Sequence, residues 1–307
     1  MRAKEIVDRY LENAGDMSQR KVADVLGWSP STLSMVLAGT YANLEQKEAE
    51  MAKKLLGIES ETEEKFEPIR ITEKIIGTDS YFEVFTLCSG LIDRNSSLTA
   101  SIGLVIGDAG MGKTTAVQSF AAETPDAAYV LYMGFNRNAL FKEIAESVVG
   151  RSARSYYDNL QLIMGATRVY RKLIIVDEAD RMPLSMLEDL RTLNEYGRVP
   201  LLLVGEPKLA ATVKKADRIE SRIRKPRVTF KPIDEDTVST LYDECCGLKL
   251  SKNIIEILLR MSQGDFRVVA NDMQNIVRLM NINHKTKLTE TIINLYKSGQ
   301  EILNENK

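Results

Sequence analysis

The chain has 307 residues, of which 44% are hydrophobic and 27% charged, and its formal net charge at pH 7 is −2. This length fits one large domain with one or two small ones, and the balanced charge excludes a global basic field, so any contact with nucleic acid must come from local clusters. The three cysteines form no disulfide framework and no apolar run approaches ~20 residues, so a cytosolic protein without a membrane span is expected.

The first section, residues 1–57, has a helical pattern that predicts a small all-α helix-turn-helix domain. Ser18 stands where it can cap one helix, and Gly27 supplies the turn because a left-handed backbone is cheap for glycine. Ser29 stands where it can cap a second helix that has Pro30 at its first position. The inward positions of both helices are apolar: Val22, Ala23 and Leu26, then Leu33, Val36 and Leu37. This spacing resembles the repressor-type DNA-binding fold of phage regulators.

The second helix of this domain, predicted from Pro30 to Ala38, carries no charged side chain. Its hydroxyl groups, on Ser31, Thr32 and Ser34, are the candidate contacts with DNA. Residues 1–65 hold nine Lys and Arg against twelve Asp and Glu, a net charge of −3, whereas tight operator readers are normally basic. Two roles therefore remain open for this domain: weak auxiliary DNA binding, or docking of a protein.

Three further sections follow. Residues 58–70 are acidic and contain proline, which predicts a linker. Residues 71–232 alternate strands and helices, which predicts an α/β core with a parallel sheet covered on both faces. The strands are expected at 102–106, 128–133, 172–177, 200–205 and 227–230. Residues 233–307 are helical in pattern, with helices near 234–246, 251–263, 265–280 and 288–303.

Residues 107–114 fit the phosphate-binding pattern GxxxxGK[ST] at every fixed position, between a predicted strand and a helix over 115–122. The glycines let backbone N–H groups converge on phosphate oxygens at a helix N-terminus. Lys113 is expected to reach the β- and γ-phosphates and Thr114 to hold Mg²⁺. The predicted nucleotide contacts are Gly107, Asp108, Ala109, Gly110, Met111, Gly112, Lys113, Thr114 and Thr115.

Acidic side chains follow two of the buried strands. Asp177 ends one strand and can hold Mg²⁺, mostly through water, while Glu178 can polarise the water that attacks the γ-phosphate. Glu206 ends the next strand and can sense the γ-phosphate or position water. Because the carboxyl ends of parallel strands meet at one edge of the sheet, the acids that follow both strands are expected above the phosphate-binding loop.

Two arginine-containing segments complete the pattern: a basic cluster from Lys214 to Lys231, and Gly264-Asp-Phe-Arg267, which opens a helix in the helical section. The order of these motifs along the chain resembles that of the AAA+ ATPases. It runs from the phosphate loop to the Asp-Glu strand, the polar residue after the next strand, an arginine before the last strand and an arginine in a helical lid. More narrowly, the chain resembles the transposition helper ATPases typified by phage Mu transposition protein B. Those proteins place a repressor-like helix-turn-helix before a compact AAA+ core.

The resemblance implies an AAA+ P-loop fold with a C-terminal helical lid, and it implies ATP and Mg²⁺ as cofactors. Arg222 matches the arginine finger that reaches the γ-phosphate of a neighbouring subunit, with Arg218 and Arg224 as rivals. Arg267 matches the lid arginine that contacts nucleotide in its own subunit. Glu206 stands where such proteins often carry a neutral polar side chain. The segment from Arg70 to Ile76 is the expected neighbour of the adenine.

The resemblance also implies a function. ATP-bound subunits of this family form a helical filament on duplex DNA with little sequence preference, and they deliver this target to a transposase that stimulates hydrolysis. Arg151 and Arg154, which follow a helix predicted over 138–149, are the candidate DNA contacts of the core. Two alternatives stay open: a helicase loader or replication initiator of the AAA+ class, and a nucleotide-switched regulator whose output is the helix-turn-helix.

Overall fold

A computed structural model describes residues 2–14, 17–56, 66–93, 102–225 and 227–305. The chain divides into two compact units, residues 1–67 and 68–307. Residues 58–65, which make up most of the predicted linker, lie outside the described residues.

The described residues of the first unit form four helices: α1 (Ala3–Ala14), α2 (Gln19–Leu26), α3 (Pro30–Leu37) and α4 (Leu44–Leu56). Gly27 has φ +68°, so the turn between α2 and α3 is left-handed, and Ser29 Oγ accepts the N–H of Thr32 at 3.1 Å. Two expectations were wrong in detail. Ser18 precedes α2 but its side chain makes no capping hydrogen bond, and α3 ends at Leu37 because Ala38 is already its C-cap.

The second unit is built on a five-stranded parallel sheet in the order β2-β3-β4-β1-β5. Its strands are β1 (Ile102–Ile106), β2 (Ala127–Leu131), β3 (Leu173–Asp177), β4 (Leu201–Gly205) and β5 (Val228–Thr229). The predicted fold class is therefore confirmed. The second strand ends at Leu131 rather than at 133, because its ladder with β3 stops where Leu131 faces Asp177. The fifth is two residues long because it pairs only with the end of β1.

Between residues 79 and 220, the described part of this unit has seven α-helices. They are α5 (Asp79–Ile92), α6 (Lys113–Glu123), α7 (Arg137–Val149), α8 (Tyr156–Val169), α9 (Leu184–Gly197), α10 (Pro207–Lys214) and α11 (Asp217–Glu220). Successive strand residues point to opposite faces. Leu104 and Val176 face a core formed with α7 to α11, whereas Val105 and Ile175 face α5 and α6. Both faces of the sheet are buried, which explains the continuous apolar strands.

The chain ends in a helical section with its own core. Its helices are α12 (Glu235–Cys246), α13 (Lys252–Ser262), α14 (Phe266–Ile282) and α15 (Glu290–Glu305). The entering segment, residues 69–76, packs on this section: Ile69 N–H donates to Asn281 Oδ1 at 2.8 Å, and Asn281 Nδ2 donates to Ile69 O at 2.9 Å. No helix in the described part of the chain has the length and apolar character needed to cross a membrane.

Candidate functional site

The loop from Gly107 to Gly112 joins β1 to the N-terminus of α6. Gly110 has φ +78° and Gly112 has φ +94°, a region that side-chain-bearing residues rarely adopt. A Cβ placed on Gly107 would lie 2.7 Å from Phe230 Cβ. Backbone conformation therefore favours glycine at positions 110 and 112, and close contact with Phe230 favours it at 107. The loop curls over the helix N-terminus as phosphate binding needs.

Lys113 is the first residue of α6, and its ammonium lies inside this loop. Nζ donates to Gly107 O at 2.8 Å and to Asp108 O at 2.7 Å. Burial lowers the pKa of Lys113, while the carboxylates of four neighbouring acids, Glu206, Asp177, Glu178 and Asp180, oppose that shift. Phosphate oxygens arriving in the loop would offer the ammonium stronger partners than the two carbonyls.

The end of β3 fixes two acids in different settings. Asp177 is buried; its Oδ2 accepts the hydroxyl of Tyr129 at 3.0 Å and its Oδ1 accepts the N–H of Glu178 at 2.8 Å. Burial and the Asp177 charge raise the pKa of Tyr129, so the tyrosine stays a hydrogen-bond donor. Glu178 has φ +58°, a strained conformation for a residue with a side chain, costing about 1–3 kcal/mol. This conformation directs Glu178 away from the line of the strand, and Glu178 lines a cavity at this edge of the sheet.

β4 lies between β3 and β1, so Glu206 at its end is next to both Glu178 and the phosphate-binding loop. Asp180 Oδ1 accepts the N–H of Glu206 at 3.2 Å. A Cβ placed on Gly205 would lie 2.6 Å from Asp180 Oδ1, so only glycine allows this contact. Asp180 was not assigned to the site from sequence, although it stands in the same acidic run as Asp177 and Glu178.

These elements enclose a cavity of about 340 Å³. The lining residues are Ala109, Gly110, Met111, Gly112, Lys113, Thr114, Thr115, Glu178, Asp180, Gly205, Glu206, Phe266 and Arg267. Phe266 and Arg267, at the start of α14, form the wall that the helical section contributes, and the Arg267 N–H donates to Gly110 O at 3.3 Å. The fold thus collects around one cavity the predicted Lys113, Glu178, Glu206 and Arg267, together with Asp180.

A second cavity, of about 210 Å³, shares Met111, Gly112, Thr115 and Phe266 with the first. Lys74, Ile75 and Ile76 from the expected segment line it, and sequence reasoning missed its other lining residues, Thr78, Tyr81 and Phe230. Three aromatic rings and two isoleucines make walls that suit a flat, largely apolar ring system. Beside a phosphate cradle, such a cavity fits the base of a nucleotide.

The residues predicted to hold Mg²⁺ carry the oxygen donors that this ion prefers, the Thr114 hydroxyl and the Asp177 carboxylate. The described residues contain no group of three or more His, Cys, Asp or Glu that could hold a metal ion. Thr114 lines the cavity, whereas Asp177 is buried and is absent from the lining. This donor set suits an ion that is held jointly with phosphate oxygens and water.

Arg222 and its two rivals lie away from the cavity wall. Arg222 forms an ion pair with Glu195 at 2.6 Å and donates to Arg218 O at 3.0 Å. Arg224 donates to Gly90 O, against α5. The Arg218 side chain is exposed, and within the described part of the chain no partner is found for it. The three arginines are therefore distinguished by their environment, which spacing alone did not do.

The candidate DNA contacts are on the surface of their respective units. Arg151 and Arg154 are exposed after α7, and Arg154 O accepts from Asn138 Nδ2 at 3.0 Å. In the first unit, Ser29 Oγ lies 2.8 Å from the hydroxyl oxygens of both Ser31 and Thr32, while Ser34 is exposed. Two of the three candidate hydroxyls are thus engaged at the start of α3.

Comparison with known proteins shows which families this chain resembles. Residues 96–213 match a family model described as an AAA domain. The chain is 26% identical over 287 residues to the ATP-dependent target DNA activator B of Escherichia phage D108, covering 87% of this chain and 85% of the relative. It is 27% identical over 181 residues to the Mu-like prophage FluMu DNA transposition protein B of Haemophilus influenzae, covering 55% of this chain. The resemblance to transposition protein B is confirmed.

Other AAA+ proteins are also similar. The replication factor C large subunit of Pyrococcus abyssi is 24% identical over 214 residues, covering 70% of this chain. The match spans 41% of the length of that relative, and 62% of the prophage protein. The crystal structure of Cdc6p from Pyrobaculum aerophilum superimposes with a TM-score of 0.56 at 17% identity, over 72% of this chain and 66% of that one, which supports the fold alone. Residues 96–213 therefore match an AAA domain, and the chain is similar in sequence to transposition protein B and to replication factor C.

Proposed function

We propose that this protein is an ATP-dependent, largely sequence-nonspecific DNA-binding ATPase that assembles on target DNA, delivers it to a transposase and activates that enzyme. The observation that carries the proposal is the cavity where the phosphate loop, the acids after β3 and β4, and Arg267 meet. The similarity to a target DNA activator over 87% of the chain is the reason for proposing that this ATPase acts in transposition.

In the proposed reaction, the loop amides and Lys113 bind the phosphates, and Glu178 orients and polarises the attacking water. Thr114 and Asp177 would hold Mg²⁺, and the ion would supply charge neutralisation at the phosphates. Glu206 lies beside Glu178, where it contacts the same water or the γ-phosphate side of the cavity. Arg267 contacts the nucleotide from the helical section. Each role uses a group that lines the cavity, except for the buried Asp177 beneath it.

The arginine finger is proposed to come from a neighbouring subunit, which makes hydrolysis depend on assembly. Such a finger contributes about 10³–10⁵-fold in rate. Arg222 is the first candidate, and its ion pair with Glu195 must then open when subunits assemble. Arg218 is the nearest rival because its guanidinium is exposed and needs no such exchange.

DNA is proposed to bind through backbone phosphates. Arg151 and Arg154 are exposed cations in one loop, and phosphate contacts of this kind position DNA without reading its sequence. The helix-turn-helix unit either adds weak DNA contacts through Ser31, Thr32 and Ser34 or docks a protein. The engagement of two of these hydroxyls by Ser29 favours the second role.

A binding titration on duplex DNA tests the proposal, with ATP, ADP or no nucleotide, each at two salt concentrations. Binding is expected with ATP and Mg²⁺, weakening steeply with salt, and electron microscopy should then reveal DNA-covered filaments. Protein that stays monomeric with ATP and duplex DNA in excess would overturn it. Closed rings that ignore DNA would count equally against it.

A second candidate is a helicase loader or replication initiator, which the sequence similarity to replication factor C favours. Co-purification with a helicase rather than a transposase would support it. A nucleotide-switched regulator would instead be indicated by one high-affinity operator whose binding is lost on Ser34→Ala.

A further inference from the structure

The helix that carries Arg267 begins with an acidic cap. Asp265 is the N-cap of α14, and its Oδ1 accepts the N–H of Arg267 at 2.8 Å and of Val268 at 3.2 Å. Such a cap satisfies N–H groups that have no partner within the helix. The backbone orientation of Arg267 therefore depends directly on the Asp265 carboxylate.

The same carboxylate also lies against the phosphate-binding loop. A Cβ placed on Gly110 would lie 2.2 Å from Asp265 Oδ1 and 2.4 Å from Oδ2, so the side chain occupies the space beside this glycine. The Arg267 N–H is shared between Asp265 Oδ1 and Gly110 O, at 3.3 Å from the latter. One carboxylate thus joins the start of α14 to the middle of the loop.

The turn before Asp265 is held in place by the segment that follows β5. Gly264 has φ +78°, and a Cβ placed there would lie 2.5 Å from Pro232 Cβ. Gly264 O accepts the N–H of Ile233 at 3.0 Å, and Asp265 N–H donates to Ser262 O at 3.0 Å. Because the turn is held by the segment that leaves the sheet, Asp265 has little freedom to leave Gly110.

We propose that Asp265 is a positioning residue that places Arg267 for contact with the phosphates of a bound nucleotide. It acts by bonding the start of α14 and by filling the space at Gly110, so the helix and the loop keep one geometry. A carboxylate that only stabilised α14 would have no reason to touch the loop. This inference rests on the proposed binding of ATP at the cavity.

The test measures equilibrium affinities of the full chain for ATP and ADP, and its thermal unfolding without nucleotide. Arg267→Ala is expected to weaken ATP binding about tenfold, as for loss of one charge-assisted hydrogen bond, with ADP affected less. Asp265→Ala should produce the same loss, and the double variant no more than either single one. Asp265→Asn keeps the capping oxygen and the side-chain volume, so ATP affinity should stay within about twofold of the parent.

Two further variants separate positioning from helix stability. Asp234 caps α12 by accepting the N–H and hydroxyl of Thr237, at 2.9 and 2.6 Å, and it does not line the cavity. Asp234→Ala should therefore lower the melting temperature and leave ATP affinity unchanged. Asp265→Ser keeps a capping oxygen but is too short to fill the space at Gly110, so it should weaken ATP binding while unfolding near the parent temperature.

The inference is overturned if Asp265→Ala and Asp265→Ser both bind ATP like the parent. It is also overturned if the losses of Asp265→Ala and Arg267→Ala multiply in the double variant, since independent sites behave in that way. An Arg267→Ala variant with unchanged ATP affinity would remove the contact that Asp265 is said to position. Parent protein that binds neither nucleotide would instead contradict the proposed function.

Discussion

The carboxylate of Glu195 lies 2.6 Å from the guanidinium of Arg222, and this ion pair ties α9 to the segment that follows α11. Glu195 also pairs with Arg191, which in turn bonds Glu188 at 2.6 Å. The proposed finger is thus engaged by one acid of its own subunit, Glu195. Since one guanidinium cannot fully satisfy Glu195 and a neighbour's phosphate together, assembly and this ion pair should compete.

Glu195→Gln is therefore expected to favour assembly-dependent hydrolysis. The variant weakens the hold on Arg222, so ATP turnover should become half-maximal at a lower protein concentration than for the parent. Steady-state ATPase measured against protein concentration checks this. Glu188→Gln is the matched control, since Glu188 pairs with Arg191 rather than with Arg222. An unchanged or higher half-maximal concentration for Glu195→Gln contradicts the competition.

Arg222→Ala should lower turnover of the assembled protein by about 10³-fold or more, while a single subunit binds ATP as before. The reason is that a finger acts on the transition state of a neighbouring site and not on binding in its own. Affinity measured at low protein concentration, together with turnover at high concentration, separates the two. If Arg222→Ala retains DNA-stimulated ATP turnover, Arg218 or Arg224 is the finger instead.

Two substitutions in the cavity should have opposite effects on DNA binding. Lys113→Ala removes the ammonium that faces the phosphates and should abolish nucleotide binding, and DNA binding with it. Glu178→Gln keeps the shape of the site but removes the base, so ATP should stay bound and DNA complexes should persist. Dissociation rates from DNA in the presence of ATP check both. Normal hydrolysis by Glu178→Gln would show that another group orients the water.

The first unit should lose stability in acid because of Glu50. The Lys47 ammonium at 2.7 Å, with help from Lys54 and the Trp28 indole, lowers the pKa of Glu50 from 4.5 to about 2. A carboxyl group whose pKa is lower in the folded than in the unfolded protein stabilises the fold at pH values above its unfolded pKa. This stabilisation is lost as the pH falls through the folded pKa. The loss should therefore fall between about pH 4.5 and pH 2, and because Glu50 is over a third exposed it should be at most about 1 kcal/mol.

Trp28 is the single tryptophan of the chain and contacts Glu50, so its fluorescence reports unfolding of this unit. Glu50→Gln should flatten the pH dependence, whereas Glu45→Gln, an exposed acid on the same helix, should leave it unchanged. Equal pH dependence in the parent and in Glu50→Gln would assign the acid loss to other groups.

Removing Arg151 or Arg154 should weaken binding to every DNA sequence alike. Removal of one cation that binds a phosphate should reduce the slope of log affinity against log salt by about 0.9 on duplex DNA. Affinities of Arg151→Ala and Arg154→Ala measured over a salt series check this, with Lys252→Ala, at the start of α13, as a surface control. Slopes equal to that of the parent would move the DNA-binding surface elsewhere.

Local chemistry in the sequence determined most of the architecture. The glycine pattern at 107–112 predicted the phosphate loop, because only glycine tolerates the positive φ found at Gly110 and Gly112. Continuous apolar runs predicted the parallel strands, because a strand buried on both faces leaves no polar position. The turn at Gly27 followed from the same backbone argument. These features depend on a few neighbouring residues, so spacing alone reveals them.

Tertiary structure decided which distant groups meet. The contact of Asp265 with Gly110, the hydrogen bond from the Glu206 N–H to Asp180 and the pairing of Glu195 with Arg222 each join separate elements. The family resemblance implied Arg222 as the finger but left Arg218 and Arg224 as rivals, and the sequence did not place the segment at 69–76 on the helical section. Such contacts arise from how helices and strands pack together. The sequence pattern indicates which face of an element a residue occupies, but it does not indicate which element packs against that face.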